Sequence, residues 1–188
     1  MEKSTDAELM DMVLRKNTRA YKTLYMRYEG RIYNFIWRYT GNRELAQDLL
    51  QETFTRVWFA AHSFDQGRGN FKGWLYTIAL NIARNEMTKK RHAYHYLEVS
   101  AITSSEEPVA PRTDEPDIEL EHADLQDTVA KALGQLSPLL REIVILKHYQ
   151  QLKFSEIAEM TKTPEGTLKA RFHRALAQLK ELLEPLEF

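Results

Sequence analysis

No cysteine occurs in the 188 residues, which removes disulfide frameworks, thiolate metal sites and cysteine nucleophiles at a stroke. Glycine and proline are scarce, at 7 and 6, and most of them fall between periodic segments rather than inside them. That scarcity favours helices joined by short turns over a many-stranded β protein. No apolar run approaches the length needed to cross a bilayer, and residues 1–10 are polar, unlike a secretory leader. No membrane insertion is expected, and the expected compartment is the cytoplasm. A phosphate loop, a His-Glu-x-x-His pair and a nucleophile triad are all missing. Six histidines are scattered; His92 and His95 share helical spacing but lack a third ligand. No catalytic residue, cofactor or metal is expected, and no repeat of solenoid period is present.

What is there can fill a core. Hydrophobic residues make up 43% of the chain and aromatics 11%, too much for wholesale disorder. The net charge of −1 conceals an uneven distribution. Residues 1–96 carry 16 basic and 10 acidic side chains, residues 97–124 carry 1 and 9, and residues 125–188 carry 9 and 8. A basic block, an acidic stretch and a near-neutral block imply two modules and a tether. The reading is an all-α protein with an N-terminal helical domain (1–96), a flexible acidic linker (97–121) and a C-terminal helical domain (122–188). Ser104, Ser105, Pro108, Pro111 and Pro116 lie in the linker and no apolar periodicity anchors it.

In the first module, Thr5 and Glu8 form a capping-box pair ahead of Leu9, Met12 and Val13. Residues from Tyr21 to Tyr39 recur at helical spacing and predict a helix over about 18–40. Gly41 then serves as C-cap and Asn42 as N-cap of the next helix, about 43–62. Its apolar face is Leu45, Leu49, Leu50, Phe54, Val57, Trp58 and Ala61. Its polar stripe, Gln47, Asp48, Gln51, Glu52 and Thr55, suits either solvent or a protein partner with cationic helices. A glycine-containing loop (65–70) leads to a helix over about 72–91. There Leu75, Ile78, Ala79 and Ile82 form the inner stripe; Thr77, Asn81, Arg84, Asn85 and Thr88 lie opposite, followed by Lys89, Lys90 and Arg91. Two asparagines and an arginine in line can bond base edges and phosphates together. Phe64, Phe71 and Trp74 beside the loop are either core or the walls of a pocket for an unstacked base.

Helices resume at about 122. Ser137 and Pro138 open a helix through about 149, Ser155 is expected to cap a short helix, and Thr163 with Pro164 to start the last one. Ala158 supplies the small residue that a steep helix crossing needs, and Leu168, ten residues on, supplies an apolar plug. This is a helix-turn-helix pattern, with Lys162 where glycine often occupies the turn. On the final helix Leu168, Phe172, Ala175, Leu176, Leu179 and Leu183 fall on the core side. Gly166, Thr167, Lys169, Ala170, His173 and Arg174 form a basic, small-residue face suited to the DNA major groove. A helical hairpin with a solvated basic face shares that pattern. A self-sufficient regulator, with a sensing module ahead of the helix-turn-helix, also fits these residues.

The motifs, taken in order, resemble the extracytoplasmic-function group of bacterial sigma factors over nearly the whole chain. Leu24-Tyr25, Tyr28 and Arg31-Ile32-Tyr33 look like the family's first conserved region. Residues 46–58 are similar to the helix that grips the polymerase clamp, and residues 71–85 to the segment that reads and melts the −10 element. Residues 136–146, 154–158 and 164–171 are similar to the region that binds the −35 element. The resemblance implies a transcription-initiation factor, catalysing nothing itself, whose partners are core RNA polymerase (its β and β′ subunits), promoter DNA both duplex and single-stranded, and an anti-sigma factor. It implies that Asp48, Gln51, Glu52 and Thr55 face the clamp, and that Phe64, Phe71, Thr77, Asn81, Arg84 and Asn85 serve the −10 strand. Gly166, Thr167, Lys169, Ala170, His173 and Arg174 would serve the −35 duplex, and the acidic linker would occupy the RNA exit path.

Overall fold

The computed structural model describes residues 4–65, 67, 70–100 and 128–184, and from 91 to 100 the backbone alone. Every regular element among them is helical. In order these are α1 (Asp6–Leu14), α2 (Thr18–Thr40), α3 (Arg43–Phe59) with a 3-10 turn (Ala61–Ser63), and α4 (Phe71–Ser100). After them come α5 (128–135), α6 (Pro138–Val144) running into a π turn (Ile145–Tyr149), α7 (Phe154–Thr161) and α8 (Glu165–Leu183).

Local chemistry sets most of these boundaries. Thr5 and Glu8 make the reciprocal capping box of α1. Asn17 caps α2 by accepting from the amides of Arg19 and Ala20. Gly41 ends α2 in the left-handed region at φ 71°, its amide donating to Trp37 O at 2.7 Å, and Asn42 Oδ1 accepts from Leu45 N at 2.8 Å to start α3. Two helices therefore meet at a two-residue corner, and their apolar faces close on each other. Leu24, Ile32, Phe35, Ile36, Leu49, Leu50, Phe54 and Val57 are buried there with Leu9, Met10 and Val13 of α1. Truncating one such side chain to alanine costs about 2–5 kcal/mol.

Several expectations need correction. The helix expected to end near Arg91 continues to Ser100. No glycine or proline stands between Trp74 and Glu107, and a basic cluster favours a helix C-terminus without stopping the helix. The linker assigned to 97–121 thus begins as helix over 97–100, while 101–121 lies outside the described residues, as does the expected restart at 122–127. α3 stops at Phe59, not near His62, because the chain tightens into the 3-10 turn. Ser155 is not a cap: α7 begins at Phe154, and Glu156 accepts the Lys153 amide at 2.7 Å. Leu176, placed in the core from the wheel, is 42% exposed, because α8 is covered along Leu168, Phe172, Ala175 and Leu179 only.

The C-terminal module has its own small core of Leu133, Leu136, Leu140, Val144 and Ala175. Its other apolar residues, Ile143, Ile145, Leu146, Leu152, Ile157 and Leu168, join the cluster formed by α1–α4. The two modules are packed together. The π turn matters here: one extra residue rotates everything after it by about 100° relative to a continued α-helix. It brings Gln150, 8% exposed, against α4.

Candidate nucleic-acid interface

α4 carries the densest set of site residues, and burial divides it unevenly. Leu75, Tyr76, Ala79, Leu80, Ile82 and Ala83 are buried, and Ile78 only partly so. The inner stripe is wider than a single packed face because α2 and α3 cover one side and the C-terminal module another. Asn81, Asn85 and Thr88 are exposed; Thr77 and Arg84 are half-buried. Thr77 and Thr88 turn their hydroxyls back onto the helix, donating to Gly73 O and Arg84 O, each at 2.9 Å. The two asparagines are then the exposed side chains with free hydrogen-bonding reach near the middle of the stripe.

The loop ahead of α4 is held by an aromatic triangle. Phe64, Phe71 and Trp74 lie with centroids 5.4–5.9 Å apart, and Tyr28 meets Phe71 edge-on at 5.4 Å. Phe71 is 2% exposed and belongs to the core; it underlies the loop instead of presenting a face. Phe64 and Trp74 are half-buried. Asn70 caps α4, Oδ1 accepting from Gly73 N at 2.7 Å. Phe64, Trp74, Asn70 and Thr77 line a cleft of about 330 Å³ whose far wall is α7, with Glu156, Glu159 and Met160.

That far wall is part of an interface the sequence pattern did not reveal. Glu142 of α6, 5% exposed, receives Arg84 in bidentate fashion, Nε donating to Oε2 at 2.8 Å and Nη2 to Oε1 at 2.6 Å. The Tyr76 hydroxyl donates to Gln150 Oε1, and Lys72 Nζ donates to Gln150 O at 2.8 Å. Asn70 Nδ2 donates to Glu156 Oε1 at 3.1 Å. Arg141 donates to Tyr39 O at 2.8 Å while also binding Leu133 O and Gly134 O at the end of α5, and Arg38 lies over the Tyr149 ring at 4.3 Å. Burial pushes Lys72 below its ordinary range. Partial burial would raise Glu156, but the Lys153 amide, the Asn70 amide and the nearby lysines outweigh it and hold the carboxyl low. The available signal was the pair Arg141-Glu142 inside the apolar run 139–146: a charge pair in a core helix needs partners.

The other two surfaces stand open. On α3, Gln47, Asp48, Gln51 and Thr55 are exposed; Glu52 is partly covered and paired with Arg56 at 2.5 Å. On α8, Gly166, Thr167, Lys169, Ala170, His173 and Arg174 are all exposed on one side, with Leu168 and Ala175 buried on the other. Lys169 lies 3.7 Å from Glu165. α7 and α8 are joined at Lys162, which takes the left-handed conformation at φ 53° that glycine would adopt freely. Phe154 and Phe172 lock the pair edge-on at 5.9 Å.

Comparison with known proteins agrees with this anatomy. A family model described as Sigma-70 region 2 matches residues 24–93, and one described as Sigma-70, region 4 matches residues 126–179. The RNA polymerase sigma factor CarQ of Myxococcus xanthus is 34% identical over 168 residues, covering 89% of this chain and 91% of its own. The ECF RNA polymerase sigma factor SigW of Bacillus subtilis is 30% identical over 190 residues, covering 94% and 100%. Among solved structures, the sigma factor RpoE of Bartonella quintana, crystallised with the anti-sigma factor NepR, aligns with a TM-score of 0.67 at 26% identity, over 87% of this chain and 96% of that one. The chain belongs to the extracytoplasmic-function group of RNA polymerase sigma factors.

Proposed function

We propose that the chain acts in the cytoplasm as a non-catalytic initiation factor that docks on core RNA polymerase, places it on a promoter and captures the −10 strand as the duplex opens. The division of labour follows three surfaces. Asp48, Gln51, Glu52 and Thr55 meet the cationic clamp helices of the polymerase. Asn81 and Asn85, with Thr77 and Arg84, take the non-template −10 strand, and the loop between Phe64 and Phe71 receives an unstacked base. Gly166, Thr167, Lys169, Ala170, His173 and Arg174 take the −35 duplex, and an anti-sigma factor holds the protein inactive. The domains are 1–96 for the first two tasks and 122–188 for the third.

The observation that carries the reading is the pairing, in one chain, of two exposed amides beside the buried face of α4 with a basic helix-turn-helix face. Amides suit base edges, lysine and arginine suit phosphate and guanine, and melting requires both a duplex anchor and a trap for unpaired bases. Run-off transcription from genomic promoter fragments tests it: core polymerase plus this chain should give discrete start sites that core alone does not. Specific duplex binding by the chain without polymerase, and no transcript with it, would make it a self-sufficient regulator instead.

A further inference from the structure

Between the polar stripes of α3 and α4 lies a cleft of about 280 Å³, lined by Glu52, Arg56, Ile82, Asn85, Glu86 and Lys89. It touches two assigned surfaces at once, because Glu52 belongs to the polymerase stripe and Asn85 to the −10 stripe. Ile82 is buried; the other five side chains are charged or carry an amide. No role assigned above uses Arg56. The charges form two pairs. Arg56 Nη2 lies 2.5 Å from Glu52 Oε1, one turn back on α3, and Lys89 Nζ lies 3.7 Å from Glu86 Oε2 on α4. Each pair joins residues of a single helix, so neither ties α3 to α4. The cleft is therefore neutral in the free chain, two cations against two carboxylates, beside the exposed amide of Asn85. The side chains of Arg56 and Glu52 are 49% and 43% exposed. A pair so open to water is weakly held, and an arriving ion exchanges with it at little cost.

We propose that Arg56 is a further strand-binding residue, which takes a phosphate of the unpaired strand beside the base that Asn85 meets, and which Glu52 withholds until polymerase engages Glu52. The proposal rests on the assignments of Asn85 to the −10 strand and of Glu52 to the clamp. A guanidinium fork matches a phosphodiester as well as it matches a carboxylate. A strand that follows Asn85 brings a phosphate with every nucleotide, and contacts to base edges need phosphate contacts to fix their register. Without polymerase, that phosphate competes with a carboxylate already in place. When the cationic clamp helices draw Glu52 away, two cations face Glu86 alone, and the cleft passes from neutral to a net charge of one positive. Arg56 is then released toward the strand. One ion pair thereby couples the two surfaces, and by reciprocity a bound strand leaves Glu52 freer for the clamp.

The test compares the free chain with reconstituted holoenzyme on a short fluorescent single strand of randomised sequence. Anisotropy is read over a series of salt concentrations, with core polymerase alone as the blank. A phosphate contact shows in the salt slope, which the loss of one contact lowers by about 0.7 for a single strand. Arg56→Ala holoenzyme should show that fall, and Arg56→Lys, which keeps the charge, should restore most of it. Co-elution with core and circular dichroism should be unchanged in both. Glu52→Gln should tighten strand binding by the free chain about two- to fivefold, the worth of an exposed ion pair. Adding Arg56→Ala to it should abolish the gain. An unchanged slope in folded Arg56→Ala holoenzyme overturns the proposal. Lost co-elution overturns it too, because Arg56 would then belong to the polymerase surface, and no gain from Glu52→Gln removes Glu52 as the competitor. Asn85→Ala holoenzyme on a premelted promoter bubble separates these failures from a failure of the −10 assignment. If it binds the bubble normally, α4 does not read the strand. If it binds poorly while Arg56→Ala keeps the wild-type slope, α4 reads the strand without Arg56.

Discussion

Single residues carry the corners of this fold, and four of the described ones are left-handed: Lys16, Gly41, Gln151 and Lys162. Gly41 sits at φ 71° between α2 and α3 with open space where a side chain would begin, so Gly41→Ala would meet no clash and its cost is conformational alone. About 1–2 kcal/mol is expected, read as a lower thermal midpoint with unchanged helicity at low temperature. Lys162 is the converse case: a side-chain-bearing residue at φ 53° in the turn of the helix-turn-helix. Lys162→Gly relieves the strain but loosens the unfolded chain, and the net gain should be about 0.5 kcal/mol. A destabilised Lys162→Gly protein would mean that the lysine makes a compensating contact across the cleft it lines.

At the level of elements, each surface should fail in its own way. Reversing charge at Asp48 and Glu52 together should weaken association with core polymerase, seen as lost co-elution, while circular dichroism stays the same. The Glu52 change also sets lysine against Arg56 one turn on, a like-charge penalty of roughly 0.2–0.5 kcal/mol that is too small to unfold α3. Replacing Lys169 and Arg174 by alanine should lower duplex promoter binding by holoenzyme, by roughly 1–3 kcal/mol for a base-specific contact. Replacing Asn81 and Asn85 should spare that closed complex and reduce opening, read as weaker permanganate reactivity of unpaired thymines. Equal losses of closed-complex binding from both pairs, on duplex and premelted bubble alike, would make α4 a general phosphate contact.

The same scale shows what a sequence can disclose. α2 has the bounds that periodicity predicts, and the α1 capping box and the Gly41-Asn42 corner are local chemistry written in a few adjacent residues. The exposed face of α8 is likewise a matter of one helix and its period. What periodicity could not supply was anything set by a second module. Arg84 is engaged by Glu142 and Tyr76 by Gln150, residues 58 and 74 positions away, and nothing in the local pattern of α4 encodes them. The π turn at 145–149 is equally silent, since a helical stretch of sequence looks the same whether or not it gains a residue. Phe71 was ambiguous for a different reason: an aromatic beside a glycine-bearing loop fits a core and a pocket equally well, and tertiary packing decides.

Over the whole molecule the question is how two modules joined through an acidic stretch behave as one. Arg112 is the single basic residue between Glu98 and Asp124, so trypsin offers a clean incision. Residues around it have no apolar periodicity to anchor them, whereas most other lysines and arginines sit on helices. Limited trypsin should therefore cut first at Arg112. If cleavage severed only a tether between independent domains, the fragments would separate on gel filtration. The shared core, in which Ile143, Ile145, Leu146, Leu152 and Ile157 lie in one cluster with residues of α1–α4, argues for the opposite outcome: the nicked chain should elute as a single species at micromolar concentration. Nicked Glu142→Gln protein should dissociate more readily, because the carboxylate that neutralises Arg84 is lost while the apolar contacts remain. Mass spectrometry fixes the cut site and the elution profile reads the association. Resistance at Arg112 would mean that the acidic stretch is itself docked, and immediate separation of the wild-type fragments would mean that the packing of the modules is too weak to hold the free chain closed.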